Sequence, residues 1–157
     1  MAGLRYVVCD VFTDTPLTGN QLAVFTDGRG VSNERMQALA LEVGFSETVF
    51  VFPAEQGGTA RIRIFTPLQE LPFAGHPTLG TAFVLAGPMQ LEEIRLETGS
   101  GLVPVALSRD AERLVEGRMT QPLPAVTPLE SPSPLFAALG VTRSSLPVEV
   151  YDNGIRH

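Results

Sequence analysis

The chain opens on an apolar run, LRYVVCDVFT (4–13), whose β-branched and aromatic residues predict a strand. TPLTGN (15–20) supplies turn residues directly after it, and QLAVFTD (21–27) predicts a second short strand leading into the loop DGRG. The period then changes. Met36, Leu39, Ala40 and Val43 recur three and four residues apart, as on one buried helix face. Ser32 can cap that helix, and Gly44 sits where a left-handed residue would end it. FSETVFVF (45–52) reads as an apolar strand, PAEQGG as a loop, and TARIRIFT (59–66) as a strand with Ile62 and Ile64 alternating against Arg61 and Arg63.

PTLGTAFVLAG (77–87) predicts a short helix closed by Gly87 and Pro88. It is apolar all round, so it should be buried, wrapped by sheet. IRLETGSGLVPVAL (94–107) reads as a hairpin turning at Gly99–Gly101. From about residue 116 the character shifts to the proline-rich RMTQPLPAVTPLESPSP, read as a strand and a linker. SPSPLFAALGV offers a second helix start, because proline is well tolerated in a first turn. LPVEVYDNGIRH predicts one more strand.

Composition narrows the function classes. Of 157 residues, 44% are hydrophobic and 18% charged, a globular balance, with formal net charge −6 and no lysine. With arginines scattered singly, no basic stripe exists to track phosphates and no basic amphipathic face to meet an anionic membrane, so neither nucleic acid nor membrane is an expected partner. The N-terminus lacks the pattern of a signal peptide. A single cysteine, Cys9, excludes an internal disulfide and fits a reducing compartment; a cytoplasmic protein is expected. Cys9 lies in a strand-like apolar run and reads as a buried, inert thiol. One cysteine and two histidines without ligand spacing predict no metal site.

Two residues stand out chemically. Glu47 is a carboxyl in an apolar strand, sharing a face with Phe45, Val49 and Val51. Burial would disfavour its ionised form and raise its pKa toward the range useful for proton transfer. The plainer reading is that Glu47, near the strand's start, points to solvent. His76 precedes Pro77, which suits a first helical position, so His76 reads as the N-cap and the amides around Thr78 and Leu79 as free to meet an anion. The positive helix end favours a neutral ring. Its plainer reading is a capping or loop histidine. Asn20 reads as a turn residue, GSG (99–101) as a hairpin turn, and His157 is given no role.

Taken together, GNQLAVF (19–25), SETVFV (46–51), RIFTPLQELPFAGHPTLGTA (63–82) and YDNGIRH (151–157) resemble the PhzF family, named for phenazine biosynthesis, which shares its fold with diaminopimelate epimerase. The resemblance implies an α+β fold of two similar lobes, each a curled mixed β-sheet around a central helix, with the active site in the cleft between them. It implies a cofactor-independent isomerase in which Glu47 shuttles a proton, His76 lies beside it, and Ser46, Gly75, Thr78 and, more weakly, Asn20 bind the substrate carboxylate. A small-molecule carboxylate and a second copy of the chain, as a homodimer, are the partners it implies. The family's second lobe carries a motif of the GxDPxTGSA type that these 157 residues lack. The expected organisation is therefore an N-terminal lobe over 1–115, without its returning C-terminal segment, and the start of a second lobe over 116–157. Weak or no activity by this chain alone is expected. An amino-acid epimerase or racemase and a non-catalytic self-associating fragment remain as alternatives, although the epimerase branch relies on paired cysteines.

Overall fold

In the computed structural model, residues 3–121 and 123–156 are described. The chain divides into two compact units, Met1–Gln121 and Pro122–His157. In the first, the order is β1 (Tyr6–Val11), β2 (Asn20–Phe25), α1 (Asn33–Val43), β3 (Glu47–Phe52), β4 (Ala60–Phe65), β5 (Glu70–Leu71), α2 (Gly75–Met89), β6 (Glu93–Thr98), β7 (Gly101–Asp110) and β8 (Arg113–Met119). These strands form one mixed, curled half-barrel sheet, ordered β1-β2-β3-β4-β6-β7-β8 with β5 paired to β4. The pairs β2–β3 and β4–β6 are parallel and the rest antiparallel. The fold is α+β.

Each parallel pair is bridged by a helix, and strand alternation gives each helix its own core. Phe25, Phe50 and Phe65 pack with Met36 and Ala40 of α1. Phe50 stacks on Phe25 at 4.7 Å and meets Phe65 edge-on at 5.6 Å, pairs worth about 0.5–1.5 kcal/mol each beyond their burial. On the other side Leu22, Val24, Val49, Val51, Ile62 and Ile64 pack with Ala82 and Ala86 of α2. The alternation expected of Arg61–Ile64 is present, with both isoleucines buried and both arginines half-exposed.

The ends of α1 follow the sequence reading. Ser32 Oγ accepts from the Arg35 N–H at 3.3 Å, and Gly44, at φ 70°, donates its N–H to Ala40 O. A cap of this kind contributes about 1 kcal/mol. The ends of α2 do not follow it. The N-cap is Ala74, in extended conformation, so Gly75, His76 and Pro77 are the first three helical residues and His76 is not the cap. Proline is accepted there because the first amides of a helix have no intrahelical partner. The helix also runs past Gly87 through Pro88 to Met89, and Gln90, in the left-handed region, ends it by donating to Ala86 O. Arg109 Nη2 donates to the same carbonyl at 2.7 Å, so the sheet supplies a cation at the helix's negative end.

Buried small residues let α2 lie close against the sheet. A Cβ at Gly80 would come within 2.7 Å of both Leu22 Cδ2 and Val11 Cγ2, so only glycine permits this approach. The approach carries the first turn of α2 to the N-terminal ends of β2 and β3.

The second unit holds β9 (Ala125–Pro128), α3 (Ser133–Leu139) and β10 (Glu149–Asp152), the two strands pairing antiparallel. Proline stands in the first turn of α3, as its sequence suggested, and Gly140 closes it at φ 67°. No residue of α3 is buried.

Candidate active site

Glu47 begins β3, opposite Leu22 of the parallel β2, and its alternation partners Val49 and Val51 face α2. The carboxylate is therefore directed at the first turn of α2 rather than at solvent, with the side chain 17% exposed. There it meets His76, whose Nε2 lies 3.4 Å from Glu47 Oε2 and whose ring is 7% exposed. Both atoms are buried, and neither has a hydrogen-bond partner within the protein. A carboxylate oxygen and an imidazole nitrogen that face each other, each without another partner, are the kind of pair that proton transfer requires.

Around them the structure gathers most, but not all, of the residues singled out in the sequence. Ser46 Oγ donates to Asn20 Oδ1 at 3.2 Å, and Asn20 Nδ2 lies 3.2 Å from His76 Nδ1. Gly75 contributes the first amide of α2, half-exposed; a Cβ there would meet nothing nearer than Met119 Cε at 3.7 Å. Thr78 is a correction. Its side chain is fully buried, its hydroxyl donates to Ala74 O at 2.8 Å, and its N–H turns to the same oxygen. Leu79 is likewise deep enough in the helix for its N–H to fall on the Gly75 carbonyl. The amides left open are those of Gly75 and His76, because the helix starts two residues earlier than the sequence suggested.

One neighbour had no signal in the sequence. Phe12, just past the end of β1, places its ring 6.4 Å from that of His76 while remaining 74% exposed. Its backbone is left-handed, at φ 64°, a conformation that costs a non-glycine residue about 1–2 kcal/mol. The following loop is tied down by Leu17 N–H donating to Asp10 Oδ2 and by the hydroxyls of Thr13 and Thr18.

Cys9 is half-buried rather than buried. Burial, and then the charge of Asp10, push its thiol pKa up, which keeps it protonated and unreactive. It lines an open groove of about 1000 Å³ between β1 and β8, floored by Leu79, Gly80 and Phe83. Neither Glu47 nor His76 lines that groove; Phe12 borders both places.

Residues 9–157 match the family model PhzC-PhzF, described as phenazine biosynthesis-like protein. The chain is 50% identical over 153 residues to trans-2,3-dihydro-3-hydroxyanthranilate isomerase of Pseudomonas aeruginosa, covering 98% of this chain and 55% of that protein. Among solved structures, a Pseudomonas aeruginosa "predicted epimerase" superposes with TM-score 0.85 at 31% identity, covering 98% of this chain and 57% of that one. The Bacillus anthracis phenazine biosynthesis protein of the PhzF family superposes with TM-score 0.75 at 28% identity, over 99% and 55% of the two chains. This chain thus spans about half the length of the curated relatives it matches. Motifs, fold and whole-chain similarity agree, and the chain belongs to the PhzC-PhzF family of phenazine biosynthesis-like proteins.

Proposed function

We propose that residues 1–121 carry the acid–base half-site of an isomerase that moves a proton within a small cyclic carboxylic acid, trans-2,3-dihydro-3-hydroxyanthranilate being the substrate named for its relatives. The observation that carries this reading is the 3.4 Å approach of Glu47 Oε2 and His76 Nε2, two buried atoms with no other partner. Glu47 takes a proton from one ring carbon of the substrate and returns it to another carbon of the same conjugated system. Composition and oxidation state are unchanged by that exchange, so the reaction calls for neither oxidant nor cofactor. The open amides of Gly75 and His76 offer the substrate carboxylate a helix N-terminus, and the exposed Ser46 hydroxyl lies beside them in the same constellation. Phe12 supplies an apolar wall.

The test is deuterium incorporation from D2O into the dihydro-hydroxyanthranilate, followed by NMR. Wild-type chain is expected to exchange slowly, since this chain spans about half of the relatives' length and positioning supplied by the remainder accelerates such steps. Glu47→Gln keeps the size of the side chain and removes the base; a loss of about 100- to 10,000-fold is expected. Exchange at the wild-type rate in Glu47→Gln overturns the proposal; no exchange in the unsubstituted chain favours a self-associating fragment.

A further inference from the structure

Four polar side chains stand in file: Ser46, Asn20 and His76 joined by hydrogen bonds, and Glu47 3.4 Å beyond the ring. With the Asn20 carboxamide placed as it is, donor and acceptor chemistry along the file assigns the ring proton. Ser46 Oγ donates to Asn20 Oδ1, an oxygen that can only accept. With that end of the carboxamide committed to Ser46, the other end, Nδ2, faces His76 Nδ1 at 3.2 Å. An amide NH2 only donates, so Nδ1 must present its lone pair. The ring proton then resides on Nε2, which lies 3.4 Å from Glu47 Oε2.

We propose that Asn20, oriented by Ser46, is a positioning residue that holds His76 as the neutral Nε2–H tautomer, with the protonated nitrogen on the side of Glu47 Oε2. This rests on the acid–base reading of Glu47 given above and deepens it. The ring N–H then stands on the Oε2 side of the carboxylate and leaves Oε1 for the substrate. The opposite tautomer would set the Nε2 lone pair against the carboxylate and repel it. Asn20 thus acts through His76 rather than on the substrate, with both ends of its carboxamide already engaged.

The experiment is long-range proton–nitrogen NMR on the full chain labelled with 15N-histidine near neutral pH, which reports directly which ring nitrogen bears the proton. The sequence contains only His76 and His157, so His157→Gln assigns the spectrum. The expected wild-type spectrum has the proton on Nε2. Asn20→Asp sets an acceptor opposite Nδ1 and is expected to draw a proton there; Ser46→Ala frees the carboxamide to turn over and is expected to populate both tautomers. A wild-type ring protonated on Nδ1, or on both nitrogens, overturns the proposal, as does a spectrum that neither substitution changes. Should Asn20→Asp fail to fold by circular dichroism, the wild-type and Ser46→Ala spectra decide alone. The two readings separate cleanly. An Nδ1–H ring with exchange still abolished in Glu47→Gln removes the tautomer assignment and keeps the acid–base role. An Nε2–H ring with exchange unaffected in Glu47→Gln does the reverse.

Discussion

Phe12 holds a strained backbone for a side chain that buries little, and such strain persists where the surroundings over-determine it, commonly at a ligand site. Replacing it by glycine removes the left-handed penalty of about 1–2 kcal/mol and adds a chain-entropy cost of about 0.5–1 kcal/mol, so folding should change little. Removing an aromatic face is worth about 1 kcal/mol of contact. Phe12→Gly is therefore expected to keep the melting temperature within a few degrees while weakening substrate binding about 3- to 10-fold by titration. A clear fall in melting temperature with unchanged affinity would assign Phe12 to folding instead. No pattern around Phe12 announces this placement, because it depends on a loop conformation set by Asp10 and the threonines. Glu47 and His76 were legible for the opposite reason: a carboxyl inside an apolar strand and a histidine beside a helix-starting proline are local anomalies. Asn20, read first as a turn residue, takes its partners 26 and 56 residues away, where no local pattern reaches.

Helix α1 was readable to both ends, because Ser32 and Gly44 carry their capping chemistry in their own residue types. Helix α2 was readable in existence and burial only. Its N-cap, Ala74, has no side-chain bond to advertise it, and near its other end the carbonyl of Ala86 accepts from Arg109 of β7. The PAEQGG loop shows the same division. Its position was plain from composition, but its anchor is Glu97 of β6. Oε1 accepts from the amides of Gln56 and Gly58 and Oε2 from that of Glu55, at 2.6–2.8 Å. Burial alone would raise the Glu97 pKa, but these three amides and the charge of Arg61 outweigh it, and the pKa is lowered. A carboxyl with a folded pKa below its unfolded value stabilises above the unfolded pKa and loses that contribution as pH falls through the folded one. Glu97→Gln should therefore lower the melting temperature at neutral pH, with the gap to wild type closing as pH drops below about 4. A gap independent of pH would place the effect in packing rather than charge.

The curled sheet leaves two strand edges, and they are not equivalent. β8 carries Arg113, Glu116 and Arg118, the charged residues that discourage edge-to-edge pairing. β1 presents Tyr6, Val7 and Val8, between 44% and 53% exposed, with no proline and no lysine. Free backbone groups along an apolar edge are a template for another chain. The described residues of the second unit add Leu123, Leu139 and Leu146, each well exposed, and a two-stranded ribbon is at best marginally stable by itself in water. These surfaces predict association beyond the 16.8 kDa of one chain, measured by light scattering. A defined dimer reduced to monomer by Val7→Lys would locate the contact at the β1 edge, since a lysine there blocks strand addition without touching the core. Association that persists in Val7→Lys and yields to Leu146→Lys would move the contact to the second unit. A wild-type mass of one chain at micromolar concentration would show that neither surface suffices, and that the half-site of Glu47 and His76 is presented by a monomer.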